Sequence, residues 1–352
     1  MEEHYIYVCA LNRIFCFRPA LGRQLIERYG VQRLFSADRK ELEELFCQDE
    51  RLVSLFAEDT ILEWSRKEVE WACSKGVRLV DMTGRFYPPL LKECHDAPLM
   101  LYCYGEMEMA GTDNVAIVGT RLATDYGREA CRTVVSSLEG SGAAVVSGLA
   151  FGIDITAHRA ALEYGLESIA VLPCGIDMVY PAAHREDAAR IARQGMVITE
   201  FATGTKPLKI HFIKRNRIIA GLSRCTVVVE SRRRGGAMST VEFALSYNRD
   251  VYAVPGRIFD VNSYGCNYLI SKNMASIYNG PDEKVASKRD LFSGSRSGRE
   301  KILLALKNKT ATDMETICRK TGLDFSTVST LLLEMELEGV VLSLHGNNYK
   351  LA

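Results

Sequence analysis

The order of apolar and polar residues changes character twice along this chain of 352 residues. Residues 1–75 repeat apolar positions at helical spacing, and Trp64 and Trp71 lie seven residues apart, hence on one helical face. From Val77 onward, short apolar runs alternate with amphipathic segments of helical length. Residues 299–352 return to helical spacing and end in two short strand-like runs. The pattern therefore predicts a helical region, a central α/β domain and a smaller terminal domain.

The central alternation predicts a doubly wound, mostly parallel sheet with helices on both faces. Amphipathic segments such as Tyr126–Leu138 and Asp154–Tyr164 supply the helices. The predicted strands are Val77–Val80, Leu99–Tyr104, Val115–Val118, Ala143–Val146, Ile169–Leu172, Met196–Thr199, Thr226–Val229 and Val251–Val254.

The domain boundaries follow from the same pattern. We expect a helical domain at 1–75, the sheet domain at 76–284, a linker at 285–298 and a winged-helix-like domain at 299–352. The linker is rich in Ser, Gly and charge and has no apolar periodicity. For the last domain, the expected helices are Ile302–Leu306, Met314–Cys318 and Val328–Leu337, and the expected hairpin turns at His345–Asn348.

Charge is concentrated locally although the chain is neutral as a whole. It has 44 Lys and Arg against 44 Asp and Glu, which argues against indiscriminate coating of nucleic acid or anionic membrane. The segment Lys206–Gly221 nevertheless holds five Lys or Arg around Phe212 and contains no carboxylate. Cations with an embedded aromatic suit single-stranded nucleic acid, because cations follow phosphates while a ring stacks on a base. A solvated helix face is the alternative interpretation.

Glycine-rich corners follow several predicted strands. They are Gly119-Thr120-Arg121, Gly148 to Gly152, Gly175, and Gly235-Gly236. In an open α/β sheet these corners lie at the carboxyl ends of the strands, where ligands bind, and helix starts there favour anions. None is a Walker loop, because no Gly-Lys-Ser/Thr follows the glycines. None is a dinucleotide fingerprint either, because the two glycines Gly148 and Gly152 have the wrong spacing.

Other chemistries have weaker support. The 11 cysteines form no Cys-x-x-Cys pair and the six histidines are dispersed, so we expect neither a metal site nor disulfides. Cys174 lacks an identifiable general base, and structural roles are expected for His158 and His211. No segment has the pattern of a signal peptide or of a bilayer-spanning helix, so we expect a cytoplasmic, reduced protein with no membrane contact.

Long motifs in a specific order resemble the bacterial DNA processing protein A (DprA/Smf) family over nearly the full chain. They are Phe86–Leu90, Val115–Arg121, Val146–His158, Leu172–Asp177 with Tyr180-Pro181, Arg215–Ser223 and Val254–Gly256. The resemblance implies an extended Rossmann-like domain similar to the SLOG superfamily, an N-terminal SAM-like domain and a C-terminal winged helix.

The resemblance also implies a function. The family binds and protects single-stranded DNA, loads RecA recombinase during natural transformation, and dimerises through the Rossmann-like domain. It implies no catalytic residue and no cofactor. By the same resemblance Arg121 and Lys209 would grip phosphates and Phe212 would stack on a base. Arg215, Asn216 and Arg217 would line the same pocket, and Gly119, Thr120, Gly148 and Gly152 would offer backbone donors.

Two segments depart from the family pattern. Arg18–Gly22 lacks the Gly-x-Gly of a helix-hairpin-helix, which argues against phosphate binding there. Where the family usually has Ser-Gly-Ala, this chain has Gly235-Gly236-Ala237, preceded by Arg232-Arg233-Arg234. The three arginines could extend the anion-binding surface or lie on a solvated loop without a binding role.

Two other functions stay open. Gly235 to Glu242 loosely resembles the loop of lysine-decarboxylase-like nucleotide phosphoribohydrolases, without its leading Pro and third Gly. The second alternative is a transcription regulator that acts through the terminal domain. The last predicted helix of that domain, Phe325 to Glu338, carries three Glu and no Lys or Arg, which favours contact with a protein over binding in the DNA major groove.

Overall fold

The computed structural model describes residues 2–46, 49–57, 60–107, 113–280, 301–303, 305–306, 312–337, 339–344 and 348–351. Its contacts divide the chain into two compact units, Met1–Val285 and Ala286–Ala352. The expected linker lies within residues that are not described. Within the described residues, no helix combines the length and the apolar composition that crossing a bilayer requires.

The described part of residues 1–75 is helical, as the apolar spacing predicts. Its helices are α1 (Glu2–Ile14), α2 (Pro19–Tyr29), α3 (Val31–Ser36), α4 (Arg39–Leu45), α5 (Glu50–Ala57) and α6 (Thr60–Ser74). Asp38 begins α4 with a capping box, because its carboxylate accepts from the Glu41 amide while Glu41 accepts from the Asp38 amide.

A nine-stranded sheet occupies the centre of the first unit, in the order β1-β2-β6-β5-β4-β3-β7-β8-β9. Strands β3 to β9 run parallel, whereas β2 is antiparallel to both β1 and β6. The strands are β1 (Arg78–Asp81), β2 (Met100–Gly105), β3 (Asp113–Val118), β4 (Ala143–Ser147), β5 (Ser168–Val171), β6 (Met196–Thr199), β7 (Cys225–Val228), β8 (Asp250–Ala253) and β9 (Ser276–Ile277).

The predicted strands are confirmed to within about two residues at each end. The alternation missed β9, which is two residues long and exposed, so it has no apolar run to mark it. The mostly parallel, doubly wound α/β architecture is likewise confirmed.

Helices alternate with the strands along the chain and pack on the sheet. They are α7 (Pro89–Glu93), α8 (Asp125–Ser136), α9 (Ile153–Glu163), α10 (Arg185–Gln194), α11 (Lys209–Gly221), α12 (Ala237–Ser246) and α13 (Tyr264–Ser271), with 3-10 turns at Ala182–His184 and Val261–Ser263.

The N-terminal helices share one hydrophobic cluster with the sheet. Val8, Leu11 and Phe15 of α1 belong to the same buried cluster as Tyr102 of β2 and Ile218 of α11. Asn12 donates to the Glu200 carbonyl at 2.9 Å. The helical region therefore packs directly on the sheet rather than forming a separate core.

The second unit has the elements of a winged helix. They are a three-stranded sheet of β10 (Thr312–Asp313), β11 (Val341–Leu344) and β12 (Asn348–Leu351), with helices α14 (Met314–Thr321) and α15 (Phe325–Leu337). The two later predicted helices and the hairpin strands are confirmed. The first predicted helix, 302–306, is described except for residue 304. Residues 345–347 of the predicted hairpin turn lie outside the described residues.

Candidate nucleic-acid interface

The chain reverses its direction of strand addition at β3, and a cavity of about 760 Å³ lies there. Strands β4 to β6 follow on one side of β3, whereas β7 to β9 follow on the other. Parallel α/β sheets bind ligands at such a switch point, outside the carboxyl ends of the strands. The cavity is lined there by the corner after β3, by the corner after β7, and by α11 and the start of α12.

One face of α11 forms a wall of the cavity. Lys209, Phe212, Ile213 and Asn216 have the spacing i, i+3, i+4, i+7 and all four line it. Lys209 is exposed and, within the described ranges, has no ion-pair partner. Asn216 donates to Ser239 Oγ at 2.8 Å, which joins α11 to α12.

An aromatic group with an adjacent cation lies at the mouth of the cavity. The Phe212 ring centroid is 5.1 Å from the Arg121 guanidinium carbon and 5.4 Å from the Tyr180 ring, which meets it edge-on at 77°. Arg121 and Tyr180 are exposed and Phe212 is half-buried. A flat ring beside a cation presents what a nucleotide requires, a stacking surface and a phosphate partner.

Close packing surrounds three of the four positions that were expected to offer backbone donors. The Thr120 amide donates to the Glu230 carbonyl at 2.7 Å, so it is already satisfied. Gly152 has a φ of 78° and adjoins the Thr120 carbonyl so closely that a side chain would clash. A side chain at Gly148 would collide with the Arg215 guanidinium. Gly119 and Thr120 line the cavity, whereas Gly148 and Gly152 are not among its lining residues.

Arg215 supports the floor of the cavity. It is 3% exposed, and its Nη1 donates to the Gly148 carbonyl at 2.6 Å and to the Val171 carbonyl at 2.5 Å. Burial lowers the pKa of Arg215 to about 10, against an opposing contribution from Asp154. Arg215 therefore stays charged at neutral pH, but its guanidinium is held by backbone carbonyls.

A buried carboxylate lies beside it. Asp154 also lines the cavity, and burial raises its pKa, while Arg215 and hydrogen bonds from the Ala150 and Gly148 backbones lower it. The Gly148 backbone expected to hold a phosphate is thus bonded to Asp154. The motif contained this residue, but its spacing gave no reason to place a carboxylate in an anion-binding cavity.

Arg217, expected in the same pocket, lies outside the cavity lining and is directed elsewhere. It forms a buried ion pair with Glu200 and donates to the Asp96 carbonyl. Lys214 Nζ lies 3.4 Å from the same Glu200 carboxylate. Glu200 is far from these cations in sequence, so the acid-free run looked more strongly charged than the surface it forms.

The corner after β7 adds cations that were not among the expected site residues. Arg232 and Arg234 line the cavity together with Gly235 and Gly236. The sequence offered the signal, three consecutive arginines, without a way to choose between a binding surface and a solvated loop.

Two side chains that the sequence raised as candidates for chemistry, Cys174 and His158, are buried. The described residues contain no group of three or more side chains placed to hold a metal ion. Burial raises the pKa of Cys174 to about 12, which keeps its thiol protonated. His158 is buried with Nδ1 2.7 Å from Ser168 Oγ, and burial lowers its pKa to about 3.

Comparison with known proteins decides the family. Residues 78–288 match the sequence profile described as DNA recombination-mediator protein A, and residues 293–347 match the DprA winged helix domain. The chain belongs to the DNA recombination-mediator protein A family. The resemblance seen in the motifs is thereby confirmed.

Relatives and solved structures in this family cover much of the chain. It is 41% identical to DNA processing protein DprA of Streptococcus pneumoniae over 196 residues, which is 56% of this chain and 69% of that protein. Identity to Protein Smf of Escherichia coli is 33% over 310 residues, 82% of this chain and 83% of the relative.

Two solved structures of the family resemble the fold. The X-ray structure of S. pneumoniae DprA aligns with a TM-score of 0.59 and 31% identity, covering 75% of this chain and 95% of the other. A Helicobacter pylori DprA structure, described as giving insight into its single-stranded DNA binding mode, aligns with a TM-score of 0.54 and 29% identity, covering 58% and 92%.

Proposed function

We propose that this protein binds single-stranded DNA, with little sequence preference, in the cavity at the carboxyl ends of β3 and β7. The observation that carries the proposal is the group of Arg121, Phe212 and Tyr180 beside the exposed Lys209. Cations that contact phosphates and a ring that stacks on a base recognise any unpaired nucleotide, because every base has a flat face. The H. pylori relative, whose structure concerns single-stranded DNA binding, supports the same ligand.

The wider role follows from the family. We propose that the protein covers and protects incoming single-stranded DNA and loads RecA recombinase onto it in natural transformation, acting as a homodimer joined through the Rossmann-like domain. We propose that it does so without catalysis. The glycine-rich loop that resembles phosphoribohydrolases would require its glutamate at the ligand, whereas Glu242 is exposed and lies outside the cavity lining.

The binding proposal is tested with labelled oligonucleotides in single- and double-stranded form across a salt series. We expect the single-stranded form to bind more tightly, because the Phe212 ring can stack only on an unpaired base. Lys209→Ala should weaken binding roughly fivefold near 0.1 M salt, since one lost phosphate contact lowers the salt slope by about 0.7. Phe212→Leu should cost about 1–3 kcal/mol of binding energy at every salt concentration.

Lys92→Ala is the matched control, because it removes an exposed lysine of α7 that lies outside the cavity lining. Equal affinity for both DNA forms, or equal effects of Lys92→Ala and Lys209→Ala, would contradict the proposal.

RecA loading is tested separately, by following RecA filament assembly on single-stranded DNA coated with wild type or with Lys209→Ala. Faster assembly with wild type than with the variant supports it. Sedimentation gives the oligomeric state, and release of free base from nucleoside monophosphates would contradict a non-enzymatic role.

A further inference from the structure

The corner Arg232-Arg233-Arg234 carries three exposed cations beside the cavity. Within the described residues, none of the three arginines forms an ion pair with a carboxylate. Adjacent like charges repel one another, and the neutral chain as a whole supplies no reason for this concentration. The corner is therefore an unpaired positive surface.

The backbone of the corner is fixed. The Gly235 amide donates to the Arg232 carbonyl at 2.9 Å, and Ser231 Oγ donates to the same carbonyl at 2.9 Å. The Gly265 amide at the start of α13 donates to the Ser231 carbonyl at 2.7 Å. These bonds hold the arginines at a constant position relative to the cavity.

The three side chains extend from the cavity toward α13. Arg232 and Arg234 line the cavity, and Arg232 Nε lies 3.5 Å from Asn262 Oδ1. Arg233 lies outside the lining, with its guanidinium carbon 4.6 Å from the Tyr268 ring centroid. Glu230, which precedes the corner, accepts from the Thr124 amide and hydroxyl, and Asp260, which precedes the 3-10 turn at Val261–Ser263, is exposed.

We propose that a DNA strand seated in the cavity leaves it over this corner, where Arg233 binds a phosphate of the nucleotides that follow. The inference rests on the proposed function and extends the binding surface beyond it. A polymer bound at an internal site must continue past the cavity wall, and the wall formed by this corner carries the unpaired cations. Tyr268 holds the Arg233 guanidinium in place, so less side-chain freedom is lost on binding.

The test compares oligothymidylates of about 6 and about 20 nucleotides, because single-strand site sizes usually fall between about 4 and about 16 nucleotides. The variant is Arg233→Gln, which keeps a polar side chain and leaves Arg232 and Arg234 of the cavity lining intact. We expect the salt slope for the long strand to fall by about 0.7, which lowers the affinity roughly fivefold near 0.1 M salt. The short strand should lose much less, because it is held by the cavity.

The control is Arg190→Gln, which removes the same charge from an exposed position of α10 outside the cavity lining. The inference is overturned if this control weakens long-strand binding as much, or if the corner variant weakens both strands equally. It is also overturned if the corner variant changes only the molecular mass in solution, which would make the corner a protein contact.

The short strand separates the inference from the proposed function. If wild type fails to bind it, or Lys209→Ala binds it as well as wild type, the proposed function fails. If that binding depends on Lys209 while the corner variant keeps full affinity for the long strand, the inference alone fails.

Discussion

Helix α11 carries one cation that faces the cavity, Lys209, and one that forms a buried ion pair, Arg217, and substitutions should separate DNA binding from stability. Lys209 is exposed at the cavity, whereas the Arg217 side chain is 4% exposed and paired with the Glu200 carboxylate, itself 2% exposed. Removing one partner of a buried ion pair costs about 3–5 kcal/mol, because the other charge stays buried without compensation. Changing an exposed side chain usually alters stability by less than about 0.5 kcal/mol.

We therefore expect Arg217→Met to lower the free energy of unfolding by about 3–5 kcal/mol, a large share of a typical total of about 5–15 kcal/mol. Lys214 remains near Glu200 and offsets part of this cost. At a urea dependence of about 1–3 kcal/mol per molar, the unfolding midpoint should fall by more than about 1 M. The protein that stays folded should bind single-stranded DNA as wild type does.

Lys209→Ala should show the opposite pattern, a urea midpoint that is equal to wild type or slightly higher, with weakened DNA binding. The assay is urea unfolding followed by circular dichroism, with oligonucleotide binding measured on the same preparations. If Arg217→Met keeps the wild-type midpoint and loses DNA affinity, then Arg217 contacts DNA and the assignment of α11 faces is wrong.

Four further changes test the packing and electrostatics of the site. Gly148→Ala should lower the free energy of unfolding, measured by urea titration, by about 1–3 kcal/mol, because the added methyl collides with the buried Arg215 guanidinium. Asp154→Asn should tighten oligonucleotide binding at neutral pH by removing an anion from the cavity. We expect wild type to bind more tightly as the pH falls, because burial raises the pKa of Asp154 and acid neutralises it, and we expect Asp154→Asn to lack this gain. The pKa of His158 is lowered by burial to about 3, so the unfolded chain binds a proton below its ordinary value of 6.5 while the folded protein does not. Stability should therefore fall as the pH drops from about 6.5 toward 3, and urea titrations of His158→Gln should show a shallower fall. Leu208→Asp should stabilise α11 by about 1 kcal/mol as a capping residue and yet weaken DNA binding, which thermal unfolding and binding titrations would show together.

Local patterns in the sequence predicted the elements, whereas pairings between distant residues decided the site. Several strands of the sheet, such as β3, β4 and β7, are apolar runs buried on both faces, so the number of strands could be anticipated up to β8. The spacing of Lys209, Phe212, Ile213 and Asn216 also sufficed to place them on one helical face. The role of Arg217 could not be anticipated, because its partner Glu200 precedes α11 in a different segment and approaches only through folding.

The glycines illustrate the same limit. A glycine after a strand predicts a close approach of backbone, and the approach is present at Gly148 and Gly152. What approaches is the Arg215 side chain in one case and the Thr120 carbonyl in the other, instead of a phosphate. A glycine in the sequence therefore predicts that some group packs closely against the backbone, but only the tertiary structure shows which group that is.

The start of α11 departs from the local rules of helix stability, and the departure marks the site. Its N-cap is Leu208, which is 56% exposed and makes no capping hydrogen bond, and its first turn contains no acidic residue. The exposed Lys209 begins the helix, although a cation is disfavoured by about 0.3–1 kcal/mol at the positive end of the helix dipole. A missing cap adds about 1 kcal/mol of lost stabilisation. Such local conflicts persist where function requires them. A phosphate at this end would pair with Lys209 and take the place of the missing side-chain cap, so one ligand would relieve both unfavourable features. This is the physical reason to place the DNA backbone at the start of α11 and the base at Phe212, one turn further along.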